Sequence, residues 1–151
     1  MWKRRTFAQL LAAFVLAPLQ ALAQAVAPTG ERLGLKGYDP VAYFTDGKPR
    51  PGASEFEYSW DGVRYRFASA AHRELFKANP DKYAPQFGGS CAMNMSNGVR
   101  READPLTWTI SDGKLYVFAT VLGYDRFRTN PAEAASKAAN NWTNLKNTPG
   151  Q

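Results

Sequence analysis

Residues 55–67 read EFEYSWDGVRYRF, and this stretch decides the fold of the chain. Aromatic and polar residues alternate on both sides of Asp61-Gly62, which is the period of a half-buried β-strand. An Asp-Gly pair between two such runs predicts a β-hairpin, because glycine accepts the positive φ that a tight turn needs. One face of this hairpin is aromatic and must be covered. The opposite face is solvated and carries Glu57, Arg64 and Arg66.

A second hairpin is predicted further along the chain. Residues 107–110 and 114–118 are two strand-like runs that flank Ser111-Asp112-Gly113. A short apolar strand is predicted at residues 41–44, after a turn at Tyr38-Asp39-Pro40 that accounts for Asp39. No internal repeat is expected beyond the two aromatic hairpins.

Two longer helices are predicted to cover the hairpins. Ser69 is a suitable N-cap for a helix over residues 70–78. Asn130-Pro131 opens a helix that runs to about Leu145. The first helix is expected to bury Ala71, Leu75 and Ala78, with Phe76 widening the stripe, and the second to bury Ala135, Ala138, Ala139, Trp142 and Leu145. Shorter helical turns are expected at 80–83 and 121–128. Antiparallel hairpins covered by helices make a small single α+β domain.

The first 23 residues have the pattern of a cleaved signal peptide. Basic residues 3–5 precede an apolar run that is too short to span a membrane, and Ala21-Leu22-Ala23 resembles a cleavage site. The prediction is a periplasmic or secreted bacterial protein, exported by the general secretory or the twin-arginine route, with no transmembrane segment after cleavage. The expected organisation is a signal peptide at 1–23, a flexible lead-in at 24–36, a domain at 37–146 and a tail at 147–151.

The charge of the mature chain argues against nucleic acid as a partner. The whole chain has a formal net charge of +6, of which the signal peptide contributes three basic residues and no acid. The remaining 16 basic and 13 acidic residues give a net charge of +3, which is ordinary for a soluble domain. The oligomeric state is left open.

Residues 86–98, QFGGSCAMNMSNG, hold every sulfur atom of the predicted domain, in Cys91, Met93 and Met95. Thiolate and thioether ligands favour Cu(I). In an extended segment the three side chains share one face, which favours a soft-metal site. If residues 92–96 are helical, Cys91 and Met95 share a face and Met93 points elsewhere. The competing interpretation is that Cys91 is a small buried hydrophobe and that the methionines fill the core.

His72 is the only histidine, and it lies in the first turn of the first predicted helix. With Cys91 and the methionines it would complete a ligand set of the copper type. With Cys91 alone it could activate a thiolate nucleophile, but the sequence offers no orienting third group, so an enzyme ranks below metal binding. A further hypothesis is an aromatic-lined pocket for a small ligand. A cavity with polar groups and no sulfur would favour it.

Several segments resemble the YHS-domain family. They are GYDPVAYF at 37–44, YRFAS at 65–69 and FKANPDKY at 76–83. Residues 83–92, YAPQFGGSCA, and Asn141-Trp142 resemble its exported stand-alone branch, so the resemblance covers roughly 34–146. It implies a small metal-linked module related to treble-clef folds. Where metal-linked members of the family carry cysteines, this chain has Ala42, Ala68 and His72, so the usual cysteine set is absent.

Together these observations predict an exported YHS-domain protein that is not an enzyme. Its expected cofactor is copper or another soft metal, held by Cys91, Met93, Met95 and His72, and its expected partner is a metal ion or a metal-handling protein. The alternative is an accessory module that binds a small ligand or a protein and in which Cys91 is structural. A Cys–His thiol enzyme is the third interpretation.

Overall fold

The computed structural model describes residues 31–150. Its strands are β1 (Arg32–Leu33), β2 (Ala53–Trp60), β3 (Val63–Phe67), β4 (Asp104–Ser111) and β5 (Lys114–Phe118). Its helices are α1 (Ala42–Thr45), α2 (Ala70–Ala78), α3 (Pro80–Tyr83), α4 (Ala92–Ser96), α5 (Val121–Thr129) and α6 (Pro131–Leu145). The predicted α+β class is confirmed, while the relation to treble-clef modules stays a prediction. None of the helices within residues 31–150 has the length and apolar character needed to cross a bilayer.

Both predicted hairpins are present. β2 pairs with β3 and β4 pairs with β5, in each case antiparallel and with one register shift near the start of the longer strand. Asp61 and Gly62 have φ of 49° and 75°, and Asp112 and Gly113 have φ of 52° and 70°. These left-handed pairs match the twist of the flanking strands, which is why Asp-Gly closes both turns.

Apart from β1, the fold is built from two copies of one order of elements, and the expectation of no repeat beyond the hairpins was wrong. β2, β3, α2 and α3 each have a counterpart that begins 51 residues later, in β4, β5, α5 and α6. A one-turn 3₁₀ helix (Gly34–Gly37 and Gln86–Gly89) and a short α-helix (α1 and α4) precede each hairpin. We call residues 34–83 the first unit and residues 86–145 the second unit.

The two units also share their core packing. In the first unit the Phe76 ring lies 5.1 Å from Tyr65 and 5.2 Å from Phe67, between centroids. In the second unit Phe127 lies 4.9 Å from Tyr116 and 5.1 Å from Phe118. Each unit therefore closes its hairpin with one phenylalanine from the helix that follows it. The cluster around Phe76 lies mostly in the first unit, whereas the cluster around Phe127 also includes Leu35 and Tyr43 of the first unit.

The strand predicted at residues 41–44 is wrong, because this segment forms α1. The buried Asp39 carboxylate accepts hydrogen bonds from the backbone N–H groups of Val41 (2.8 Å) and Ala42 (3.3 Å). An aspartate that captures the first N–H groups of a helix acts as its cap. The apolar run was assigned to a strand because four residues are too few to distinguish the period of a strand from that of a buried helical turn.

The predicted bounds of α2 and α6 are confirmed, but their buried faces differ from the prediction. In α2 only Phe76 is buried, while Ala71, Leu75 and Ala78 are exposed. In α6 the buried residues are Ala134 and Ala138, and Ala139 is exposed. A single aromatic ring decides which way α2 faces, because small alanines fit on either side of a helix.

The described end of the predicted lead-in belongs to the fold. β1 pairs with β3 in parallel, and Leu35 is buried. Gly34 lies against β3 so closely that a Cβ atom there would be 2.6 Å from the Tyr65 ring, and the chain can pass only because this residue has no side chain. The predicted signal peptide lies outside the described residues.

Candidate ligand-binding groove

Two of the predicted sulfur ligands lie deep in the core of the second unit. Cys91 precedes α4 and Met95 lies within it, and both are 0% exposed. Because residues 92–96 are helical, the structure follows the second of the two predicted geometries: Cys91 and Met95 are one turn apart, and Met93 is partly exposed. Cys91 and Met95 belong to one hydrophobic cluster, with Leu115, Val117 and Phe127 among its members.

His72 has a different partner. Its Nδ1 lies 2.6 Å from Asp39 Oδ2, and its Nε2 lies 3.4 Å from Thr45 Oγ1. Asp39 also accepts a hydrogen bond of 2.8 Å from Ala68 N–H, so one buried carboxylate joins α1, the end of β3 and the start of α2. Within residues 31–150 no hydrogen bond connects His72 to Cys91, and no group of three or more His, Cys, Asp or Glu side chains could hold a metal ion.

A groove runs between the first hairpin and α6. It consists of two adjoining cavities of about 250 and 410 Å3, which share Asp61, Val63 and Trp142 as walls. The smaller cavity is also lined by Trp60, Tyr65, Asp81, Gln86 and Phe87. The larger one is also lined by Arg32, Arg100, Lys146 and residues 147–150. None of the described residues that line either cavity contains sulfur.

Gly88 lines the smaller cavity and lies close to residues that line the larger one. A Cβ atom on Gly88 would lie 3.2 Å from Arg32 Nη2, 3.4 Å from the Trp142 ring and 3.5 Å from Val63. Its φ of +59° also favours glycine, and its carbonyl oxygen accepts a hydrogen bond from Arg32. Gly88 of the sulfur-rich stretch therefore has a packing role in the groove wall.

Asn141 and Trp142, which are adjacent in α6, make different contacts. The Asn141 side-chain amide donates hydrogen bonds to the carbonyl oxygens of Met95 (2.9 Å) and Ser96 (3.3 Å), which fixes α6 across the end of α4. The next residue, Trp142, lines both cavities of the groove. There its ring meets Phe87 edge to face, at 6.3 Å between centroids.

The larger cavity of the groove, of about 410 Å3, has more positively charged than negatively charged side chains in its lining. Arg32 is paired with Glu102 at 3.1 Å. The Arg100 guanidinium lies 5.7 Å from the centroid of the Trp142 ring and donates hydrogen bonds to the carbonyl oxygens of Lys146 and Thr148. Burial, and then the positive charge of Arg32, lower the pKa of Arg100 below its usual range, while Glu102 opposes this shift.

The second unit has a counterpart of the smaller cavity, and the comparison shows what is particular to the groove. The counterpart has a volume of about 590 Å3 and is lined by Ser111, Asp112, Lys114 and Tyr116. These residues follow Trp60, Asp61, Val63 and Tyr65 by 51 positions. Two apolar walls, Trp60 and Val63, are thus replaced by Ser111 and Lys114, and only the first unit offers an aromatic wall at this position.

Sequence reasoning missed the groove, although some of its signals were visible. Trp142 was predicted as a buried anchor, Arg32 was placed in the lead-in and Arg100 was assigned no role. The 51-residue spacing would have revealed Trp60 and Val63 as cavity positions where the two units differ. No pattern in the sequence predicts that β1, the hairpin tip and α6 meet, because that depends on how the units pack.

The fold defines a small α+β domain made of two hairpin–helix units. The model of the YHS domain family matches residues 41–87, which fall almost entirely in the first unit. The chain therefore contains a YHS domain, and the predicted resemblance is confirmed. No curated protein and no solved structure matches the chain.

Proposed function

We propose that this YHS-domain protein is an exported, non-enzymatic module that binds a small ligand in the groove between Trp60 and Trp142. The observation that carries the proposal is that aromatic and polar side chains converge on two adjoining cavities whose described lining contains no sulfur. Small-molecule sites are typically concave, mostly apolar and furnished with a few oriented polar groups. This function is the alternative that the aromatic residues of the sequence suggested.

In this proposal Cys91 is a structural residue. It is 0% exposed and belongs to a cluster of aliphatic and aromatic side chains. A thiol in such a place behaves as a small hydrophobic group, and its burial protects it from oxidation outside the cell.

The proposal can be tested by NMR on the indole N–H groups. A library of small fragments is added to the 15N-labelled protein, and the signals of Trp60, Trp108 and Trp142 are followed. Trp108 is a built-in control, because it packs against Tyr43 at 5.1 Å and does not line the groove. We expect ligands that shift Trp60 and Trp142 and leave Trp108 unchanged. If fragments bind only elsewhere, or none binds at millimolar concentration, the proposed function is wrong.

Matched substitutions locate the site. Asp61→Asn changes a wall of both cavities of the groove, and Asp112→Asn changes the equivalent turn of the second unit. Both turns have the same backbone conformation, so the two variants should have similar stability. Only Asp61→Asn is expected to alter ligand affinity.

A second candidate function, soft-metal binding, rests on Cys91 and Met95. The two residues are one helical turn apart in one cluster, and thiolate plus thioether is a set that suits Cu(I). Met93 packs against this cluster, whereas His72 would have to join from outside it. The test is an anaerobic Cu(I) titration against a chromogenic chelator, with Cys91→Ala and Met95→Leu as variants. Stoichiometric binding that both variants abolish would support copper handling, and no competition with the chelator would refute it.

Export is part of the proposal and has its own test. N-terminal sequencing of protein recovered from the periplasm or the medium should begin at Gln24. A chain that stays in the cytoplasm and retains Met1 would overturn this part while leaving the groove unaffected.

A further inference from the structure

We infer that the wider part of the groove is an anion site, so that the ligand is a small organic anion with its acidic group at Arg100 and Lys146 and its apolar part against Trp142. The inference rests on the proposed function and adds the charge class of the ligand.

The walls of the 410 Å3 cavity are unequal in charge. Arg32, Arg100 and Lys146 line it, against the single carboxylate of Asp61. Glu102 is engaged with Arg32 by an ion pair of 3.1 Å. No carboxylate within residues 31–150 forms an ion pair with Arg100 or Lys146, although Glu102 is close enough to act on the charge of Arg100. The described lining of the cavity therefore has more cations than carboxylates.

Not all hydrogen-bond donors of the Arg100 guanidinium have an acceptor within residues 31–150. Its Nη1 donates to two backbone carbonyl oxygens, and its Nε lies 3.5 Å from Ser90 Oγ. Its Nη2 makes no hydrogen bond within residues 31–150. A guanidinium that is held by carbonyl groups on one edge and free on another is positioned in advance for an acidic ligand, and charge-assisted hydrogen bonds are the strong ones.

The electrostatics of the cavity point in the same direction. Burial and the neighbouring Arg32 both lower the pKa of Arg100, so its charged form is less well solvated than it would be in water. A bound anion would offset both effects, whereas a bound cation would add to them. Because the Arg100 guanidinium lies over the Trp142 ring, an acidic group at Arg100 brings the rest of the ligand beside the indole.

The experiment compares three probes of similar size: benzoate, benzamide and benzylammonium. Their affinities for the full protein are measured from the shift of the Trp142 indole signal. The variants are Arg100→Gln and Lys146→Gln, with Arg126→Gln as a control, because Arg126 is an exposed residue of α5 that lines neither cavity of the groove. The Lys146 variant matters because Lys146 is exposed, so its loss does not threaten the fold.

We expect benzoate to bind at least about tenfold more tightly than the other two probes, which corresponds to one charge-assisted hydrogen bond. Both groove variants should remove most of this preference, and the control should retain it. If all three probes bind equally, or benzylammonium binds best, the anion inference is wrong and the proposed function stands. If no probe shifts Trp142 while fragments shift Trp60, the wider cavity is not the ligand site and the inference is again wrong. If nothing shifts either tryptophan, both fail.

Discussion

The Asp39 carboxylate offers the sharpest test of how the first unit is held together. It is fully buried and is within hydrogen-bond distance of four nitrogen atoms, those of Val41 (2.8 Å), Ala42 (3.3 Å) and Ala68 (2.8 Å) in the backbone and His72 Nδ1 (2.6 Å) in a side chain. An ionised carboxylate can only accept hydrogen bonds, so His72 donates from Nδ1. The substitution Asp39→Asn keeps the shape of this group and changes its acceptor pattern.

The expected loss follows from the contacts. The asparagine oxygen can still accept from Val41 and Ala42, but its NH2 group faces the Ala68 N–H, which loses its acceptor. A buried donor without a partner costs about 1–3 kcal/mol, and hydrogen bonds to a charged group are worth about 1.5–3 kcal/mol each. We therefore expect Asp39→Asn to lower the free energy of unfolding by about 2–3 kcal/mol, and Asp39→Ala by about 4 kcal/mol or more.

The assay is urea unfolding followed by near-UV circular dichroism. The control is Asp46→Asn, because Asp46 forms a surface ion pair of 2.9 Å with Arg50, and such pairs contribute at most about 1 kcal/mol. His72→Ala and the double variant complete a cycle, in which Asp39 and His72 should be coupled by at least about 1 kcal/mol. If Asp39→Asn and Asp46→Asn cost the same, the carboxylate does not hold the unit together and the reasoning is refuted.

Three further predictions concern the core. In the same urea assay, Phe76→Ala and Phe127→Ala should each lower the free energy of unfolding by about 3–5 kcal/mol, since the two rings occupy equivalent places in the core. If either substitution lowers the free energy of unfolding by less than about 1 kcal/mol, the two units are not equivalent. Burial raises the pKa of Tyr43 and of Tyr65 far above the usual value of about 10. The protonated phenols therefore contribute their full stability below about pH 10, where the unfolded chain is protonated as well, and this contribution is lost as the pH rises above about 10. Urea midpoints should therefore fall on the alkaline side of pH 10, and absorbance at 295 nm should show both phenols ionising only with unfolding; early ionisation of both would disprove their burial. Cys91 should react with iodoacetamide only as fast as the core opens, and rapid labelling of the folded protein would exclude a structural thiol.

Local patterns in the sequence were enough for most of the secondary structure. Period-two aromatics around Asp-Gly defined both hairpins, and Ser69 and Asn130 marked the starts of α2 and α6. These signals work because a tight turn or a helix cap depends on the conformation of only a few adjacent residues. They failed at residues 41–44, because an apolar run of four residues does not distinguish a strand from a turn of helix and because the capping role of Asp39 was not recognised.

The repeat was also encoded in the sequence, although it was not recognised. Phe67-Ala68-Ser69 and Asn79-Pro80 return 51 residues later as Phe118-Ala119-Thr120 and Asn130-Pro131. The residues between these segments differ enough to conceal the similarity of the two units. The segments that the units share are those that supply the core phenylalanine, the helix N-cap and the Asp-Gly turn.

The sequence by itself determined that this is an α+β chain with a YHS domain, two aromatic hairpins and capped helices. Only the tertiary structure decided which of its unusual residues could meet. It placed Cys91 and Met95 in one hydrophobic cluster, His72 against Asp39 in the first unit, and Arg32, Arg100 and Trp142 around one cavity. The reason is physical: turns and caps are local, whereas a groove between two units depends on contacts between residues as far apart as Arg32 and Trp142, which no local pattern specifies.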